Sequence, residues 1–496
     1  MNIEDLMALA KRRGFFWPTA EIYGGAAGFY DYGHIGALLK KRFEHVWSSF
    51  FVDYNDNYYM LDAANVLPEK PLISSGHAAL FNDILVSCMK CKTYYRADVL
   101  LSELGIKVSE GTGAAEIDAL VVKNNVRCPK DKGILQKAKP FNMMFDLYLG
   151  PEKSERGYLR PETAQSVYLN FFREFNVLRK SLPMGLALIG RAYRNEISPR
   201  QGLYRMRELI QAELQIFFDP ETWNPDVERL NDRKLTVFLH GAEGARQISV
   251  SDLIGKHKIP VFYAYHMALI DVFYREVLGV PAEKLRFLEK GPDARAFYNK
   301  LHMDIEVDVE SWGGFKEVGG LHYRTDYDLT SHSKGSNQDL SVNIDKKKFV
   351  PHVLELSFGV DRNTWMLVDV HFKKTEDRSV LQLPPYLAPF AAGIFPLQHD
   401  ENLDKSATSL YRRLKSHFRL EYDDSGSIGR RYARLDEVGT PFCITVDYDS
   451  VDKKSQNYDT VTVRYRDEKK QERVKIDLLE GFLTARTRFD ANKFLQ

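Results

Sequence analysis

Cysteine is scarce in this sequence, with four residues in a chain of 496. So few cysteines argue against a disulfide framework and are typical of a reducing compartment such as the cytoplasm. The sequence also lacks any apolar run near the roughly 20 residues that cross a membrane. Glu4 and Asp5 stand where a signal peptide carries positive charge, so we expect a short amphipathic helix there and no membrane association.

The net charge and the glycine pattern argue against further classes of protein. The formal net charge is +1, so the overall charge does not favour nucleic-acid binding, and any RNA contact must use local patches. Gly24, Gly25 and Gly28 do not fit G-x-G-x-x-G, and no G-K-[ST] follows, which argues against a dinucleotide fold or a P-loop. The composition, 44% hydrophobic and 28% charged, is that of a globular protein of about two to four domains.

Alternation of residue types predicts a strand that ends at Phe218. Apolar residues from Ile210 onward alternate with Gln211, Glu213 and Gln215, which is the period of a strand with one buried face. Such a polar row either lines a pocket or faces solvent.

We interpret residues 186–196 as an antiparallel partner of that strand, with Arg194 and Glu196 on one face. The loop between the two strands contains Ser, Pro and Gly, and it carries Arg200 and Arg205. Arginines at both ends of a loop suit a polyphosphate, because guanidinium binds phosphate bidentately and keeps its charge. The alternative is a solvated hairpin with scattered charges.

Two helix starts carry charged residues. The run Arg-Pro-Glu-Thr at 160–163 is typical of a helix beginning, and Glu162 there either complements the helix dipole or points into the same pocket as Glu213. Residues 353–357 alternate as a strand that Gly359 breaks, and a helix follows. Arg362 in its first turn is ready to meet an anion.

A helix is predicted over residues 36–50, opposite a basic face. Its apolar residues recur at helical spacing: Leu38, Leu39, Phe43, Val46, Trp47 and Phe50. This stripe contacts either the chain's own core or a partner subunit.

Three cysteines and one aspartate suggest a metal site. Cys88-x-x-Cys91 is followed by Cys128, and Asp131 stands where a zinc knuckle would have its fourth thiolate. Because a carboxylate also binds zinc, the group either holds the metal or is a site that has lost it.

The remaining segments show organisation rather than chemistry. Residues 219–310 alternate helix-like runs with Pro and Gly breaks, and we interpret them as an insertion without chemistry. Residues 383–389 are the best candidate linker. Beyond them, alternating strand-like and helix-like segments predict a small α/β domain.

Taken together, these segments resemble a class II aminoacyl-tRNA synthetase, specifically the homodimeric glycyl-tRNA synthetases. The resemblance covers nearly the whole chain, and five motifs occur in the right order. The motifs are Arg194-Asn195-Glu196 with Arg205, Gly359-Val360-Asp361-Arg362, Arg160 to Gln165, Glu355-Leu356-Ser357, and Asp424 to Tyr432 of the anticodon-binding domain.

The resemblance implies an α+β fold, an antiparallel sheet flanked by helices, followed by an α/β anticodon-binding domain. The catalytic domain would span residues 1–383, with insertions at about 65–138 and 219–310, and the anticodon-binding domain 384–496. The helix at 36–50 resembles the first class II motif, which in this family forms the dimer interface.

Four positions depart from the family pattern. His34 stands where the family usually has Pro, Ile210 where it has Glu, and Ser166 where it has Gly. These three affect none of the catalytic roles below. Asp131 replaces a cysteine, and this departure weakens the expectation of zinc.

The implied reaction activates glycine with ATP to glycyl-adenylate and transfers it to the 3′ end of tRNA-Gly. Arg194 and Arg362 are the implied catalytic residues, holding the α- and γ-phosphates. ATP-binding residues implied by the resemblance are Arg194, Asn195, Glu196, Arg205, Met206, Glu317, Val318 and Arg362. Glu317 is expected to act through Mg²⁺, which prefers oxygen ligands.

Glycine offers no side chain to hold, so its ammonium must be bound and larger amino acids excluded. The implied glycine-binding residues are Arg96, Glu162, Glu213, Glu355 and Ser357. Carboxylates give charge-assisted hydrogen bonds, and overpacking by one methyl costs roughly 1–3 kcal/mol. Three carboxylates without a cation would repel one another, so we expect strain in the empty site.

The implied tRNA contacts lie in the C-terminal domain, where splayed bases are read by stacking and hydrogen bonds. The candidates are Arg430, Arg431, Tyr432 and Arg434, and a solvated helix end is the alternative interpretation for the first two.

Two rival functions stay open at this point. One is a prolyl, threonyl or histidyl enzyme of the same class, against which the three glutamates argue. The other is a synthetase-like binding subunit without catalysis, which has no reason to keep Arg194, Glu196, Arg205 and Arg362 together.

Overall fold

The computed structural model describes residues 2–108, 112–152, 154–178, 181–199, 201–296, 298–375 and 378–495. Arg200 therefore lies outside the described residues. Within these ranges, none of the helices is both long and apolar enough to cross a membrane. The four cysteines are all free thiols.

The helices are short and spread along the whole chain. The predicted N-terminal helix is confirmed as α1. Their bounds are α1 Ile3–Arg13, α2 His34–Ser48, α3 Glu69–Ser74, α4 His77–Leu80, α5 Ala97–Glu103, α6 Ala114–Lys123, α7 Ala164–Val177, α8 Val250–Gly255, α9 Val261–Val272, α10 Tyr327–Ser336, α11 Val360–His371, α12 Glu401–Leu414, α13 Ile428–Glu437, α14 Tyr448–Val451, α15 Leu479–Thr487 and α16 Asn492–Leu495.

The strands fall into one large sheet and several small ones. Their bounds are β1 Phe16–Pro18, β2 Tyr30–Tyr32, β3 Tyr58–Leu61, β4 Val66–Pro68, β5 Asn82–Ser87, β6 Tyr94–Arg96, β7 Lys139–Asn142, β8 Phe145–Leu149, β9 Glu155–Leu159, β10 Met184–Tyr193, β11 Glu208–Phe218, β12 Lys234–Phe238, β13 Arg246–Ser249, β14 Leu285–Glu289, β15 Leu301–Val309, β16 Gly314–Thr325, β17 Val342–Ile344, β18 Lys347–Phe349, β19 His352–Gly359, β20 Phe372–Lys374, β21 Ser379–Leu381, β22 Ala392–Pro396, β23 Leu420–Tyr422, β24 Phe442–Val446, β25 Thr460–Tyr465 and β26 Gln471–Lys475.

The large sheet has nine strands in the order β13-β12-β14-β15-β16-β19-β11-β10-β3, and most neighbours are antiparallel. The predicted pair β10 and β11 lies near one end of it, antiparallel over ten residue pairs from Met184–Phe217 to Tyr193–Glu208. The first strand ends at Tyr193, so the prediction that Arg194 and Glu196 share a strand face is wrong. Both residues belong to the connection instead.

Helix α2 packs on α11. The sequence left open whether its apolar stripe contacts the chain's own core or a partner subunit, and the structure answers this question. Leu39, Phe43, Val46 and Trp47 are fully buried in the chain's own core. The Trp47 ring lies 5.9 Å from Phe358 of β19, centroid to centroid. The stripe is therefore intramolecular, and a partner subunit would have to use another face of this helix.

The two predicted insertions differ in how they join the sheet. Residues 82–142 form a separate three-stranded sheet, β6-β5-β7, with its own small core. Residues 219–310 instead contribute β12, β13, β14 and β15 to the nine-stranded sheet itself. The second segment is thus continuous with the main core.

The C-terminal part is a five-stranded sheet, β23-β22-β24-β25-β26, with helices packed on it. The predicted linker is not a free tether, because Leu383 and Leu387 are fully buried. Buried Arg466 donates hydrogen bonds of 2.7 Å to the carbonyl oxygens of Leu383 and Gly439. Tyr386 donates one to Val277 O at 2.7 Å. The two parts of the chain are therefore joined by a packed segment.

Candidate active site

A cavity of about 520 Å³ opens over β11, β16 and β19. It brings together most of the residues predicted for the site. Those that line it are Glu162, Arg194, Glu196, Arg205, Met206, Glu213, Glu317, Glu355, Ser357 and Arg362.

Glu213 stands on β11 with its carboxylate held by two hydroxyl groups. Thr163 Oγ1 donates to Oε2 at 2.5 Å, and Ser357 Oγ donates to Oε1 at 2.8 Å. Burial, followed by the charges of Glu355 and Glu162, raises the pKa of Glu213 to about 8. The two hydroxyl groups thus orient the carboxylate, and among the described residues no cationic side chain forms an ion pair with it. A bound cation could take that position.

Arg324 lies between the other two carboxylates, at 1% exposure. It donates to Glu355 Oε2 at 2.7 Å and to Asp328 at 2.8 and 3.0 Å, and its Nη2 is 3.6 Å from Glu162 Oε1. The ring of Tyr298 covers the guanidinium at 3.8 Å. The expectation that the three carboxylates repel one another without a nearby cation is therefore wrong for Glu162 and Glu355, which Arg324 contacts. It holds for Glu213 alone.

Glu162 is fixed by neutral groups as well as by charge. Gln165 Nε2 donates to its Oε1 at 3.0 Å, and His77 Nε2 lies 3.4 Å from the same oxygen. Burial alone would raise the pKa of Glu162, but His77, Arg324 and Gln165 together lower it below its usual value. Glu162 thus points into the cavity that contains Glu213, rather than only complementing the dipole of α7.

The other side of the cavity carries guanidinium groups. Arg362, near the start of α11, lies over the Tyr204 ring at 4.7 Å, and its Nη1 is 3.1 Å from Glu317 Oε1. Arg194 Nε donates to Pro161 O at 3.0 Å, and its guanidinium lies 5.5 Å from the Phe81 ring centroid. These contacts hold both arginines by ring and backbone groups while they face the cavity.

Three predicted residues do not line this cavity. Val318 is fully buried, and its carbonyl accepts from Asn363 Nδ2 at 2.9 Å. Asn195 donates its backbone N–H to Met143 O at 2.7 Å. Arg96 lines an adjoining cavity of about 340 Å³ with Glu196 and Arg205.

Arg96 is also engaged by carboxylates of its own neighbourhood. Its Nε donates to Asp98 at 2.8 Å, and its Nη1 is 3.3 Å from Asp83. The lining of the carboxylate cavity therefore gives no support to the glycine contact predicted for Arg96.

Several lining residues come from segments in which the sequence analysis found no chemistry. One wall of the cavity is formed by residues of the segment 219–310, namely Lys290, Tyr298, His302 and Asp304. Lys290 Nζ is 3.2 Å from Asp304, and His302 Nε2 is 2.9 Å from it. No local pattern marks them, because only the folding of β14 and β15 into the sheet brings them here. Arg324 did have a signal, the Arg-Thr-Asp run that ends β16.

The four predicted metal ligands lie close together, outside the cavity described above. The ligand atoms of Cys88, Cys91, Cys128 and Asp131 all lie within 4.8 Å of one another. Cys91 Sγ is 3.6 Å from Cys128 Sγ, and Cys88 Sγ is 3.3 Å from Asp131 Oδ1. Three sulfurs and one carboxylate at this spacing fit a tetrahedral zinc ion.

The predicted anticodon residues lie on α13 and are not equivalent. Arg431 is 1% exposed and donates to Pro396 O at 2.5 Å and to Asp424 O at 2.6 Å, so its guanidinium is used inside the domain. Arg434 is paired with Asp423, and the Tyr432 hydroxyl is 2.8 Å from Thr445 Oγ1. Arg430 alone of the four is exposed.

Two family models match this chain. Residues 148–371 match the family described as tRNA synthetase class II core domain (G, H, P, S and T). Residues 391–486 match the anticodon binding domain.

Curated relatives align over almost the whole chain. The glycine–tRNA ligase of Aeropyrum pernix is 36% identical over 96% of this chain and 95% of its own length. That of Pyrococcus furiosus is 37% identical, with 96% and 97% covered, and that of Methanocaldococcus jannaschii 35% identical, with 97% and 98% covered.

Solved structures show the same fold at low identity. A structure titled as the RNA binding domain of threonyl-tRNA synthetase from Cryptosporidium parvum Iowa II has a TM-score of 0.61 at 15% identity, with 98% of this chain and 99% of that chain covered. Prolyl-tRNA synthetase from Cryptosporidium parvum, complexed with L-proline and AMP, has a TM-score of 0.56 at 13% identity, with 99% and 76% covered.

Proposed function

This chain belongs to the glycine–tRNA ligase family of class II aminoacyl-tRNA synthetases, and we propose that the cavity over β11, β16 and β19 is where it activates glycine. Its activity is the joining of glycine to tRNA, with ATP as the energy source. The observation that carries the site assignment is that one cavity brings together the predicted glutamates and arginines, namely Glu162, Glu213, Glu355, Arg194, Arg205 and Arg362.

Glycine recognition follows from the acidic side of the cavity. The glycine ammonium binds Glu213, whose carboxylate is oriented by Thr163 and Ser357 and is not neutralised by an arginine. Glu162 and Glu355 add acceptors, and Arg324 holds both of them in place. The bound ammonium supplies the positive charge that Glu213 lacks in the empty cavity.

Activation needs alignment more than a protein nucleophile. A glycine carboxylate oxygen attacks the α-phosphorus of ATP, the bond from that phosphorus to the bridging oxygen breaks, and pyrophosphate leaves. Arg194 holds the α-phosphate and the glycine carboxylate, while Arg362 and Arg205 hold the outer phosphates. The ribose hydroxyl at the tRNA end then attacks the glycyl carbonyl, and AMP leaves.

The nucleotide needs further contacts, which the same cavity supplies. Glu196 accepts from the adenine amino group, and Met206 offers apolar contact to the base. Glu317 is the carboxylate that would hold Mg²⁺ with the phosphates, since it lines the cavity and is partly exposed. When bound, the ion neutralises phosphate charge.

The cysteine cluster has a structural role in our proposal. Cys88, Cys91, Cys128 and Asp131 would close a four-ligand zinc site, with no position left open for chemistry. Such a site would link the β5–β6 turn to the segment at 128–131 and stabilise this small domain.

We extend the proposal to the organisation of the protein. The catalytic domain spans about 1–383 and the anticodon-binding domain 384–496, supported by the separate five-stranded sheet. The chain acts as a homodimer in the cytoplasm, and its free thiols suit a reducing compartment. Of the anticodon candidates, exposed Arg430 has the best support for RNA contact.

The test is amino-acid-dependent exchange of pyrophosphate into ATP. We expect exchange with glycine and none above background with proline, threonine or histidine, which separates the enzymes of this class. No exchange with any of the four would support a binding subunit without catalysis, and exchange with proline alone would refute the glycine assignment. Charging of tRNA-Gly with radioactive glycine then checks the second step.

A further inference from the structure

A second large cavity, of about 640 Å³, lies between helix α2 of the catalytic part and the C-terminal part of the chain. Its lining comes from α2, from the segment after α12, and from α15 with the residue after it. The residues are Arg42, Lys415, Ser416, His417, Phe418, Arg419, Glu480, Thr484, Thr487 and Arg488. We call this cavity the basic cleft.

Positive charge in the basic cleft is not balanced by the residues that the structure describes. Arg42, Lys415, Arg419 and Arg488 carry four positive charges, and the single carboxylate of the lining, Glu480, lies 3.8 Å from His417. Across the described ranges, the guanidinium groups of Arg42, Arg419 and Arg488 have no hydrogen bond and no carboxylate within 4.0 Å. Arg464 of the same C-terminal part is, by contrast, paired with Asp436.

Arg42 makes this imbalance costly. Its side chain is half-buried, and burial together with the nearby charge of Arg419 lowers the pKa of the guanidinium. Like charges held together in a partly desolvated place repel one another unless an anion lies between them. The arrangement therefore has the charge and the space of an anion site that the described residues do not fill.

We propose that the basic cleft binds phosphates of the tRNA sugar–phosphate backbone, which rests on the proposed function. The protein's net charge is +1, so the cleft is a local patch rather than part of a generally basic surface. It adjoins the domain that matches the anticodon-binding family, and tRNA is the polyanion that this enzyme must hold. Guanidinium groups are suited to phosphate oxygens, and several of them hold a chain of phosphates without reading its sequence.

The test compares Arg419→Glu with Arg412→Glu, which reverses an equally exposed charge on α12 outside the cleft. Fluorescence anisotropy measures binding of an unacylated tRNA-Gly transcript at several salt concentrations. We expect Arg419→Glu to weaken binding roughly tenfold and to lower the slope of log K against log salt by about one. Arg412→Glu should change both much less.

Glycine-dependent pyrophosphate exchange separates this proposal from the proposed function, since that step needs no tRNA. We expect wild-type exchange in Arg419→Glu and in the milder Arg42→Gln. If the unmodified protein shows no glycine-dependent exchange, the proposed function is overturned. The anisotropy measurement of tRNA binding would still test the basic cleft in that case. Equal tRNA affinity in the two charge reversals would overturn the cleft proposal. So would dissociation of a dimer by Arg419→Glu in sedimentation, because the cleft would then bind acidic groups of a second subunit.

Discussion

Glu213 and Ser357 lie directly opposite each other on the neighbouring strands β11 and β19, and the serine hydroxyl donates to the carboxylate at 2.8 Å. The pairing of these two strands of the large sheet therefore sets the position of the Glu213 carboxylate. A side chain fixed in this way loses little further freedom when it binds a ligand. In the proposed function, this rigidity suits the binding of the ammonium of glycine, which has no side chain to hold.

Replacing Glu213 by Gln should affect glycine much more than ATP. The variant keeps the size of the side chain but loses the charge-assisted hydrogen bond to the ammonium, worth about 1.5–3 kcal/mol. We expect the KM for glycine in pyrophosphate exchange to rise roughly tenfold to a hundredfold, with little change in the KM for ATP. Glu208→Gln, on the same strand but outside the cavity, is the control. Equal increases for both substrates would contradict the role of Glu213.

The glycine requirement should also depend on pH. With a pKa of about 8, Glu213 is mostly protonated at pH 6 in the empty cavity, and only the ionised carboxylate pairs with an ammonium. We expect kcat/KM for glycine to rise between pH 6 and pH 8, by up to about tenfold per pH unit, and then to level off. Measured in Glu213→Gln, the same profile should lack this rise. A flat profile in the unmodified enzyme would show that Glu213 is already ionised.

Arg324 should be important for stability as well as for glycine binding. Arg324→Met leaves Glu162, Glu355 and Asp328 as buried carboxylates without their cation, a loss of about 3–5 kcal/mol. Urea unfolding should show a lower midpoint for this variant. Arg324→Lys keeps the charge but not the forked geometry, so we expect a smaller loss of stability and a clear rise in the KM for glycine. Unchanged stability in Arg324→Met would mean that the carboxylates are neutral.

The cysteine cluster makes a prediction about metal content. Protein purified without chelator should contain about one zinc per chain by plasma mass spectrometry. Asp131→Ala should lower that content, and Asp131→Cys should retain zinc more firmly against a chelator, since thiolate is the stronger ligand. A zinc content near zero in the unmodified protein, unaltered by Asp131→Cys, would identify a site that has lost its metal.

Arg430 and Arg431 are adjacent in sequence, yet we expect opposite consequences from their removal. Arg431→Ala removes buried hydrogen bonds to Pro396 O, Asp424 O and Gly426 O and should lower the melting temperature by several degrees. Arg430→Ala should leave the melting temperature unchanged and raise only the KM for tRNA. A similar fall in melting temperature for both variants would argue against this division.

The sequence predicted the strands of the site better than the ends of those strands. Period-two alternation from Ile210 to Phe218 identified β11 correctly, because one face of the strand packs in the core while Gln211 and Glu213 on the other face line the cavity. The prediction that Arg194 and Glu196 share a strand face was wrong, because β10 ends at Tyr193. The residue pattern alone does not fix where the hydrogen bonding of a strand stops.

Other features depended on contacts between segments that are distant in the chain. The cavity wall that contains Lys290, Tyr298 and His302 forms only when β15 pairs with β16. No local pattern in the sequence predicts this pairing. The apolar stripe of α2 was correctly recognised, but amphipathicity does not say which surface covers a helix. Motif resemblance found Glu162, Glu213 and Glu355 and missed Arg324, the cation that makes their proximity possible.

The buried segment between the two sheets has a mechanical consequence. Arg466 donates to Leu383 O, and Tyr386 donates to Val277 O, so a swing of the C-terminal part would break both of these interior hydrogen bonds. The position of the five-stranded sheet relative to the cavity over β11, β16 and β19 is accordingly restrained by interior packing of the chain itself, and not left to a free tether.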